Sequence, residues 1–579
     1  MAPERVVERG EISLNAVRYP IKGGVRSILT SVETPKVVIG DHTKDSRPGT
    51  SVVAWSDWRD GIGLYKMRVE PDGSTLDAHR SWWSTCQQRY NGHLVLPQLA
   101  TLTADSGVSG TFTVGAFGEL ANEIYAAFGT DVRKYNNVTD SWGSSLATLP
   151  GAATDAITFR MGNVVYLAFA TTGGYTYTSD GITWVDDTKD ALYLAYWDDR
   201  LWGIDNTGLL WSSSYIGVEI DNAQLSLPDG SVTKLFLGRN AADTVVLFAA
   251  TTYGLFAHDN ANTRWLPTEL ALPVHPDNGK GSTRWREHMY FPSGLAIYQY
   301  IQGAQSAIIT VMGMDRDDGL PSDKRGVVRF LLPSHNELLA LTDSTTAPGT
   351  MANFHSGRVG SQRGHVINPD TGFSFIGGWN QRGWEVKWLS GNTTKAISAA
   401  LVSNAYTTYR LWWAQNQRVY FMPLQRDIVN PNEVTTLTYA STSEHITPWV
   451  NLGQEDVNKL ILALRVELAG ATSTETVAVD YATNYSASYT NLGTITANGI
   501  TEYLFPNSTT PTGTEIRAIR SRLTLNRGST TTLSPDVLSL TAVLEKRLPP
   551  KWGFGFTVDL SREYKGRSPL QNRASLLSA

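Results

Sequence analysis

Residues 163–184, NVVYLAFATTGGYTYTSDGITW, decide the fold of this chain. An apolar run around Tyr166 ends at Gly173 and Gly174, a second aromatic run follows, and a Ser-Asp-Gly turn leads to a closing tryptophan. Two such runs joined by a glycine turn are typical of antiparallel strands. Residues 244–265, TVVLFAATTYGLFAHDNANTRW, repeat the aromatic, the glycine and the tryptophan at nearly the same offsets. A unit that recurs within one chain indicates a repeat architecture.

Related units fill residues 112–424, and about seven can be counted, as in a β-propeller built from short strands with one aromatic and one glycine per repeat. Six or eight blades remain open. The further units are NEIYAAFGTDVRKYNNVTDSW, DRLWGIDNTGLLWSSS, EHMYFPSGLAIYQYIQG, ELLALTDS with FSFIGGWNQRGW, and RLWWAQNQRVYFMPL. Each blade buries one face on its neighbour, so the ring has to close. The run at 94–102 is the candidate for an extra strand in the last blade.

The pattern changes after Pro423. Longer alternating, β-branched runs follow: KLILALRVEL, TETVAVDY, IRAIRSRLTLNR and VLSLTAVLEK. Alternate residues of a strand point to opposite faces, so the spacing predicts that Leu460, Leu462, Leu464 and Val466 line one face. Strands of this kind are typical of an antiparallel β-sandwich.

The whole chain is therefore predicted to be all-β, with a propeller followed by a sandwich and a short C-terminal segment. We expect the propeller at 96–424 and the sandwich at 425–545. Residues 1–95 are predicted to be an irregular N-terminal arm with a tryptophan-rich segment. Residues 546–579 begin after a strand that the proline pair stops, and they are predicted to form a C-terminal strand and tail for attachment.

Composition excludes several classes of function. The chain has 49 basic and 54 acidic residues, and its net charge of −5 gives no general attraction to nucleic acid or to an anionic membrane. No run approaches the roughly 20 apolar residues of a membrane span. The single Cys86 cannot form an internal disulfide. We expect no nucleic-acid partner, no membrane span and no cofactor.

One turn resembles the Asp-box of sialidases and related propellers. It comprises Ser179, Asp180, Gly181, Thr183 and Trp184. In that motif the Asp and Ser bond the backbone of the turn and the Trp packs into the blade, so the role is structural. Here the Asp and the Trp stand one residue closer than in the commonest form. The arginines form no recognisable sialidase pattern.

Other chemical signals are weak. The fragment MDRDDG places Asp315, Asp317 and Asp318 close together, as in a calcium loop, but Arg316 disturbs the spacing. The ten histidines show neither HxxxH nor HExxH spacing, and the chain has no phosphate loop and no G-x-S-x-G elbow. Adjacent acidic residues are more typical of turns than of a glycoside hydrolase site, which needs two carboxylates on opposite sides of the same substrate bond. We therefore predict no catalytic residue and no bound metal.

Both ends of the chain are rich in aromatic residues and, at the C terminus, in arginine. Such residues favour the centres of buried interfaces. They are predicted to make assembly contacts, although folding back onto their own domains is an alternative for them. The interface candidates are Trp55, Trp58, Trp82, Trp83, Trp552, Phe554, Phe556, Arg562 and Arg567.

Four segments together resemble a group of tailed-bacteriophage structural proteins: KVVIGDHTKDSRPGTSVVAWSDWRDGIGLYKM, RWLPTELALPVHPDNGKG, MDRDDGLPSDKRG and RLPPKWGFGFTVDLSREYKGRSP. The resemblance implies a tail or baseplate component, of the minor tail or fibre type, in which a propeller precedes β-sandwich modules. It implies a virion location after assembly in the host cytoplasm, other tail proteins as partners, and a homo-oligomer. Two alternatives remain: a module that binds a host receptor or glycan, and a glycan-cleaving propeller enzyme.

Overall fold

The fold is that of a computed structural model of the 579-residue chain. It describes residues 11–14, 17–20, 26–30, 50–67, 79–88, 91–104, 113–205, 207–224, 231–259, 261, 263–302, 306–314, 320–321, 324, 326–343, 374–390, 396–415, 418–424, 437–453, 455, 457–506, 512–546, 551–555 and 567–571. The regular secondary structure of the described part is almost entirely β-strand, with almost no helix, which confirms the predicted all-β class.

Eight strands precede the repeated units. They are β1 Glu11–Leu14, β2 Val17–Pro20, β3 Arg26–Thr30, β4 Thr50–Trp55, β5 Trp83–Ser84, β6 Gln87–Gln88, β7 Leu94–Val95 and β8 Thr101–Leu102. β1 and β2 pair with each other to form a separate two-stranded sheet.

Seven antiparallel sheets of four strands follow, and we number them in chain order. The strands of each sheet are given in order of pairing. Sheet 1 contains β9 Val114–Leu120, β10 Glu123–Phe128, β11 Asp131–Asn136 and β12 Ser141–Thr148, and sheet 2 contains β13 Ala153–Met161, β14 Val164–Thr171, β15 Gly174–Thr178 and β16 Val185–Asp187. Sheet 3 contains β17 Tyr193–Trp197, β18 Arg200–Ile204, β19 Leu209–Tyr215 and β20 Val218–Gln224, and sheet 4 contains β21 Val232–Arg239, β22 Val245–Thr251, β23 Gly254–Asp259 and β24 Arg264–Ala271. Sheet 5 contains β25 Thr283–Trp285, β26 His288–Ser293, β27 Ala296–Ile301 and β28 Ile308–Val311, and sheet 6 contains β29 Val327–Pro333, β30 Leu338–Asp343, β31 Phe375–Trp379 and β32 Trp384–Leu389. Sheet 7 contains β33 Ile397–Ser403, β34 Arg410–Gln415 and β35 Arg418–Pro423, and β8 is its fourth strand.

The seven sheets close into a propeller-like ring. The first strand of each sheet contacts the first strand of the next, and β33 of sheet 7 contacts β9 of sheet 1. A separate apolar cluster lies between each pair of neighbouring sheets, including the pair formed by sheets 7 and 1. The repeated aromatic residues fill these clusters, because a sheet with two apolar faces is stable only when neighbours cover both.

The fourth strand of sheet 7 comes from an earlier part of the chain. β8 pairs with β35, so that Leu102 lies opposite Tyr420. The prediction that residues 94–102 supply a strand to the last unit is confirmed. This pairing joins a segment that precedes sheet 1 to the last sheet of the ring.

The remaining strands are β36 Thr442–Ile446, β37 Lys459–Ala469, β38 Thr476–Thr483, β39 Thr490–Ile495, β40 Gly499–Leu504, β41 Thr514–Ile516, β42 Ile519–Asn526, β43 Asp536–Lys546 and β44 Lys551–Gly555. Most of them form two sheets. One has the order β39-β38-β42-β36-β5, and the other has the order β40-β37-β43-β7-β6, with β4 on β43 and β41 on β37. We call these two sheets the paired-sheet unit.

The paired-sheet unit takes four strands from the segment that we predicted as an irregular arm. β4 pairs with β43 along its whole length, β5 pairs with β36, and β6 and β7 extend the sheet of β43. One apolar core lies between the two sheets and includes Val53 and Trp55 of β4 together with Leu523 and Leu540. Strands β4 to β7 are therefore part of this unit, in contrast to the predicted irregular arm.

A bulge changes which residues of β37 enter this core. The register with β43 shifts between Ile461 and Ala463, which leaves Leu462 as the extra residue. Leu464 and Val466 lie in the core as predicted, but Ile461 takes the place predicted for Leu460 and Leu462. A single extra residue moves the following side chains to the other face of a strand.

The ring and the paired-sheet unit are in close contact. Ile62 and Trp83 lie in the same buried cluster as residues of sheets 5 and 6. Ile62 donates its backbone N–H to the carbonyl oxygen of Trp384, at 2.9 Å. Arg382 forms an ion pair with Asp60 at 2.7 Å. We call this contact the junction.

Candidate functional site

The predicted tryptophan interface lies inside the chain. Trp55, Trp58 and Trp83 are each at most 1% exposed. Trp55 and Trp58 belong to the core of the paired-sheet unit, and Trp83 belongs to the junction. The prediction that these three residues contact a partner is wrong, because the chain buries them against its own strands.

Trp82 is also held by its own chain. Its ring lies 3.8 Å from the guanidinium carbon of Arg520, which is also within 4.5 Å of the Trp449 ring and 4.8 Å of the Tyr65 ring. Arg520 donates from Nη2 to the carbonyl oxygen of Tyr65 at 2.9 Å. Burial lowers the pKa of Arg520 to about 10. A buried cation among aromatic rings explains this tryptophan without a partner protein.

The C-terminal candidates have a different outcome. Trp552 and Phe554 belong to β44, whose backbone pairs with β3. Arg567 is exposed. Phe556 and Arg562 lie outside the described residues. The assembly role predicted for this end therefore stays a prediction.

The Asp-box-like turn links β15 to β16. Asp180 Oδ1 accepts hydrogen bonds from the backbone N–H groups of Ile182 at 2.8 Å and Thr183 at 2.7 Å. These bonds lower the pKa of Asp180 to about 2. Gly181 has φ of +71°, a conformation that favours glycine. Through these hydrogen bonds Asp180 has the structural role that the sequence predicts for it.

One detail of this turn differs from the prediction. The hydroxyl that closes the turn belongs to Thr178, which accepts from the N–H of Gly181 at 2.9 Å, while Ser179 is exposed. Trp184 is half-buried, with its ring 5.9 Å from that of Tyr125 in sheet 1 and 6.0 Å from that of Phe169. Trp184 therefore helps to hold sheet 2 against sheet 1.

We expect Trp184→Ala to lower the free energy of unfolding by about 2–3 kcal/mol, since a half-buried indole loses fewer contacts than a fully buried one. Asp180→Ala should cost less, and Ser179→Ala should be nearly neutral as the matched control. Urea unfolding of the three variants gives the comparison. A cost for Ser179→Ala equal to that for Trp184→Ala would contradict the assignment of the turn.

The metal candidates Asp315, Asp317 and Asp318 lie outside the described residues. Within the described residues, no group of three or more His, Cys, Asp or Glu side chains is arranged to hold a metal ion.

Sequence reasoning missed a set of bulges at one end of the ring. In five of the seven first strands, as far as they are described, the register with the second strand shifts by one residue near the start of the strand. The extra residues are Gly115, Thr154, Thr233, Arg329 and Ser398. Bulges re-aim side chains, and here they directly precede Asp155 and Lys234 and include Arg329.

A salt bridge crosses between sheets at this end. Lys234 Nζ of sheet 4 lies 2.7 Å from Asp155 Oδ1 of sheet 2. The other carboxylate oxygen of Asp155 accepts from the N–H of Leu194 in sheet 3 at 3.2 Å. Burial and the charge of Asp155 raise the pKa of Tyr193, whose ring lies 5.8 Å from the Lys234 ammonium group. Three consecutive sheets thus meet at one carboxylate.

A second charged group ties sheet 6 to the segment between sheets 4 and 5. Arg329 donates to Asp277 at 2.8 Å and to Asp343 at 3.3 Å, and Lys280 donates to Asp277 at 2.7 Å. Burial alone would raise the pKa of Asp277, but the hydrogen bond from Lys280 and the charge of Arg329 outweigh burial and lower it. Asp277 is therefore ionised and bound by two cations, which suits a mechanical link between sheets.

Some outer strands of the ring expose aliphatic side chains. Val218 and Ile220 of β20 are more than half exposed, and all four residues of β28 are exposed. Exposed aliphatic strand edges can pair with other strands. Among the described residues, no helix is long and apolar enough to cross a bilayer.

No protein-family profile and no curated protein match the chain. Among solved structures, it is similar to the extracellular domain of a putative one-component system from B. thetaiotaomicron, with 11% identity and a TM-score of 0.40, over 72% of this chain and 47% of that one. It is also similar to a computationally designed protein, Ika8, with 11% identity and a TM-score of 0.38, over 57% and 100% of the two chains. A third similarity is to YCF48 from Cyanidioschyzon merolae, with 7% identity and a TM-score of 0.38, over 57% and 99%. The chain thus spans about half the length of the first of these proteins, and similarity at this level identifies no family.

Proposed function

We propose that this chain is a structural component of a tailed-phage particle, a tail or baseplate protein of the minor tail or fibre type. In this proposal the ring is a seven-bladed β-propeller, and the paired-sheet unit is a β-sandwich that also takes in strands from residues 50–95. The chain is assembled in the host cytoplasm and acts without a catalytic residue. Its partners are other tail proteins and further copies of itself.

The observation that carries this proposal is the pairing of the two ends of the chain. β3 lies antiparallel to β44, with Arg26 opposite Gly555 and Thr30 opposite Lys551. They form a two-stranded sheet of their own, as β1 and β2 also do. A two-stranded ribbon is at best marginally stable in water, so it is favoured when another sheet or subunit covers it. Ribbons that are separate from the ring sheets and from the paired-sheet unit suit a part that is built into an assembly.

The ring and the junction support the same role. Charged links join sheets 2, 3 and 4 and also tie sheet 6 to the segment after sheet 4, while buried clusters join all seven sheets. A ring whose sheets are linked in this way transmits load with little change of shape, because a close-packed interior has low compressibility. A particle component needs such a body together with separate attachment segments.

A truncated chain tests the proposed role of the ends. A cut at residue 96 would remove β4 to β7 and open the core of the paired-sheet unit, so the appropriate truncation keeps residues 50–546. We expect the chain truncated to residues 50–546 to fold, and its ring and paired-sheet unit to unfold at the same temperature as in the full chain. We also expect it to be absent from assembled particles when it replaces the full chain. The measurement is its abundance in purified particles by mass spectrometry.

Two controls make the result specific. The full chain, expressed in the same way, should enter particles, and Ser179→Ala, at an exposed residue of the turn after β15, should enter like the full chain. Normal incorporation of the truncated chain would show that the ends are not the attachment segments and would remove the main support of this proposal.

A further inference from the structure

β28, residues Ile308–Val311 with the sequence IITV, is an exposed strand edge on the outside of the ring. It pairs in regular register with β27 on one side and, within the described residues, with no other strand. Ile308 is 59% exposed, Ile309 40% and Val311 47%. All four side chains are β-branched and uncharged. This composition is the one that most favours strand pairing.

The other outer strands of the ring carry features that block such pairing. Proteins protect strand edges with charged residues, with proline, with bulges or by keeping the strand short. Charge or proline occurs in β16 at Asp186 and Asp187, in β20 at Glu219 and Asp221, in β24 at Arg264, Pro267 and Glu269, and in β32 at Glu385 and Lys387. β12 has two register shifts against β11, and β8 contains only two residues. Among the outer strands of the described ring that have more than two residues, β28 alone has no charge, no proline and no register shift, and its only protection is its length of four residues.

We propose that β28 pairs antiparallel with β28 of a second copy of this chain, so that two sheets 5 become one continuous eight-stranded sheet across a two-fold axis. The neutral strand permits this pairing, because two copies meet without like charges, whereas two copies of β20 would bring Glu219 and Asp221 together. With the axis at Thr310, Thr310 lies opposite Thr310 of the other copy and Ile309 lies opposite Val311, because directly opposed residues of an antiparallel pair point to the same face of the sheet. Each opposed pair then consists of β-branched side chains.

The strand is short, so the contact is expected to be weak in dilute solution. Four residues a side bury much less surface than a stable dimer needs. Within an assembly, other contacts hold the copies close together and raise the effective concentration of the second edge. The proposal does not depend on the phage assignment, since it follows from the edge itself.

The test uses the full chain in sedimentation equilibrium over a range of concentrations. We expect a reversible monomer–dimer equilibrium, lost in Thr310→Lys and in Thr310→Glu, because each places two like charges opposite each other at the two-fold axis. Val218→Lys, a substitution at an equally exposed aliphatic position of β20, should keep the dimer. Thermal unfolding of each variant should match that of the unmodified chain, because Thr310 is exposed.

A mixture of variants identifies the partner. Thr310→Lys and Thr310→Glu chains, each monomeric alone, should form a heterodimer when mixed, since the lysine of one lies opposite the glutamate of the other. The proposal is overturned if the unmodified chain stays monomeric at every concentration, if either charged variant still dimerises, or if the mixture of two folded variants does not associate.

Discussion

Replacing Gly383 with alanine is expected to lower the free energy of unfolding of the full chain by about 3 kcal/mol, as overpacking does where nothing can yield. A β-carbon at this position would lie 2.1 Å from both the carbonyl carbon and the carbonyl oxygen of Asp60 and 2.6 Å from the nitrogen of Gly61. These are backbone atoms, so no rotamer change relieves the clash. The ring and the paired-sheet unit would have to separate at the junction.

The matched control is Gly143→Ala in β12, where the nearest atom to the added methyl group is a carbonyl oxygen at 3.5 Å. That substitution should change stability little. Differential scanning calorimetry also tests the mechanism, because a loosened junction should split one unfolding transition into two. If Gly383→Ala melts like Gly143→Ala, the two units are not held together by this backbone contact.

Acid should destabilise the chain through His445, by about 2 kcal/mol between pH 7.5 and pH 5. His445 is fully buried beside Trp58, with ring centroids 5.5 Å apart, and neither ring nitrogen has a hydrogen-bond partner within the described residues. Burial lowers its pKa from the ordinary 6.5 to about 3. Over this pH range the His445 ring therefore binds a proton in the unfolded chain but not in the folded chain. Stability is complete above about pH 6.5 and falls as the pH drops towards 3.

His445→Leu should remove this part of the pH dependence and leave the chain at least as stable at neutral pH, because a buried polar ring without a partner costs free energy. His335→Leu, at an exposed histidine, is the control and should keep the acid sensitivity. Urea midpoints at pH 7.5 and pH 5 for the three chains give the comparison. An unchanged pH dependence in His445→Leu would show that the ring is not held neutral in the core.

The repeat made the ring predictable from sequence. Aromatic, glycine and turn positions recur within each unit, and strands that are neighbours in the chain pair with each other, so local pattern is enough. The same reasoning found the turn at Asp180 and the returning strand before sheet 1. It misplaced the hydroxyl of that turn, because Thr178 and Ser179 are adjacent and only the backbone geometry decides which side chain faces inward.

The pairing of strands that are far apart in the chain could not be predicted from the local sequence pattern. β4 pairs with β43 near the other end of the chain, and nothing in its six residues names that partner. Trp55 and Trp58 consequently looked like candidates for an external interface, although an internal core covers them. The bulge at Leu462 and the salt bridge between Lys234 and Asp155 depend on register and on ring closure, which single residues do not encode.

Immunogold labelling of intact particles tests the central proposal most directly. If the chain is the proposed tail component, an antibody raised against the ring is predicted to place gold at the tail or baseplate of the particles. The labelled site should be the same on every particle, and the label should be lost from particles assembled without the chain. Particles without label, despite abundant chain in the same lysate, would contradict the account.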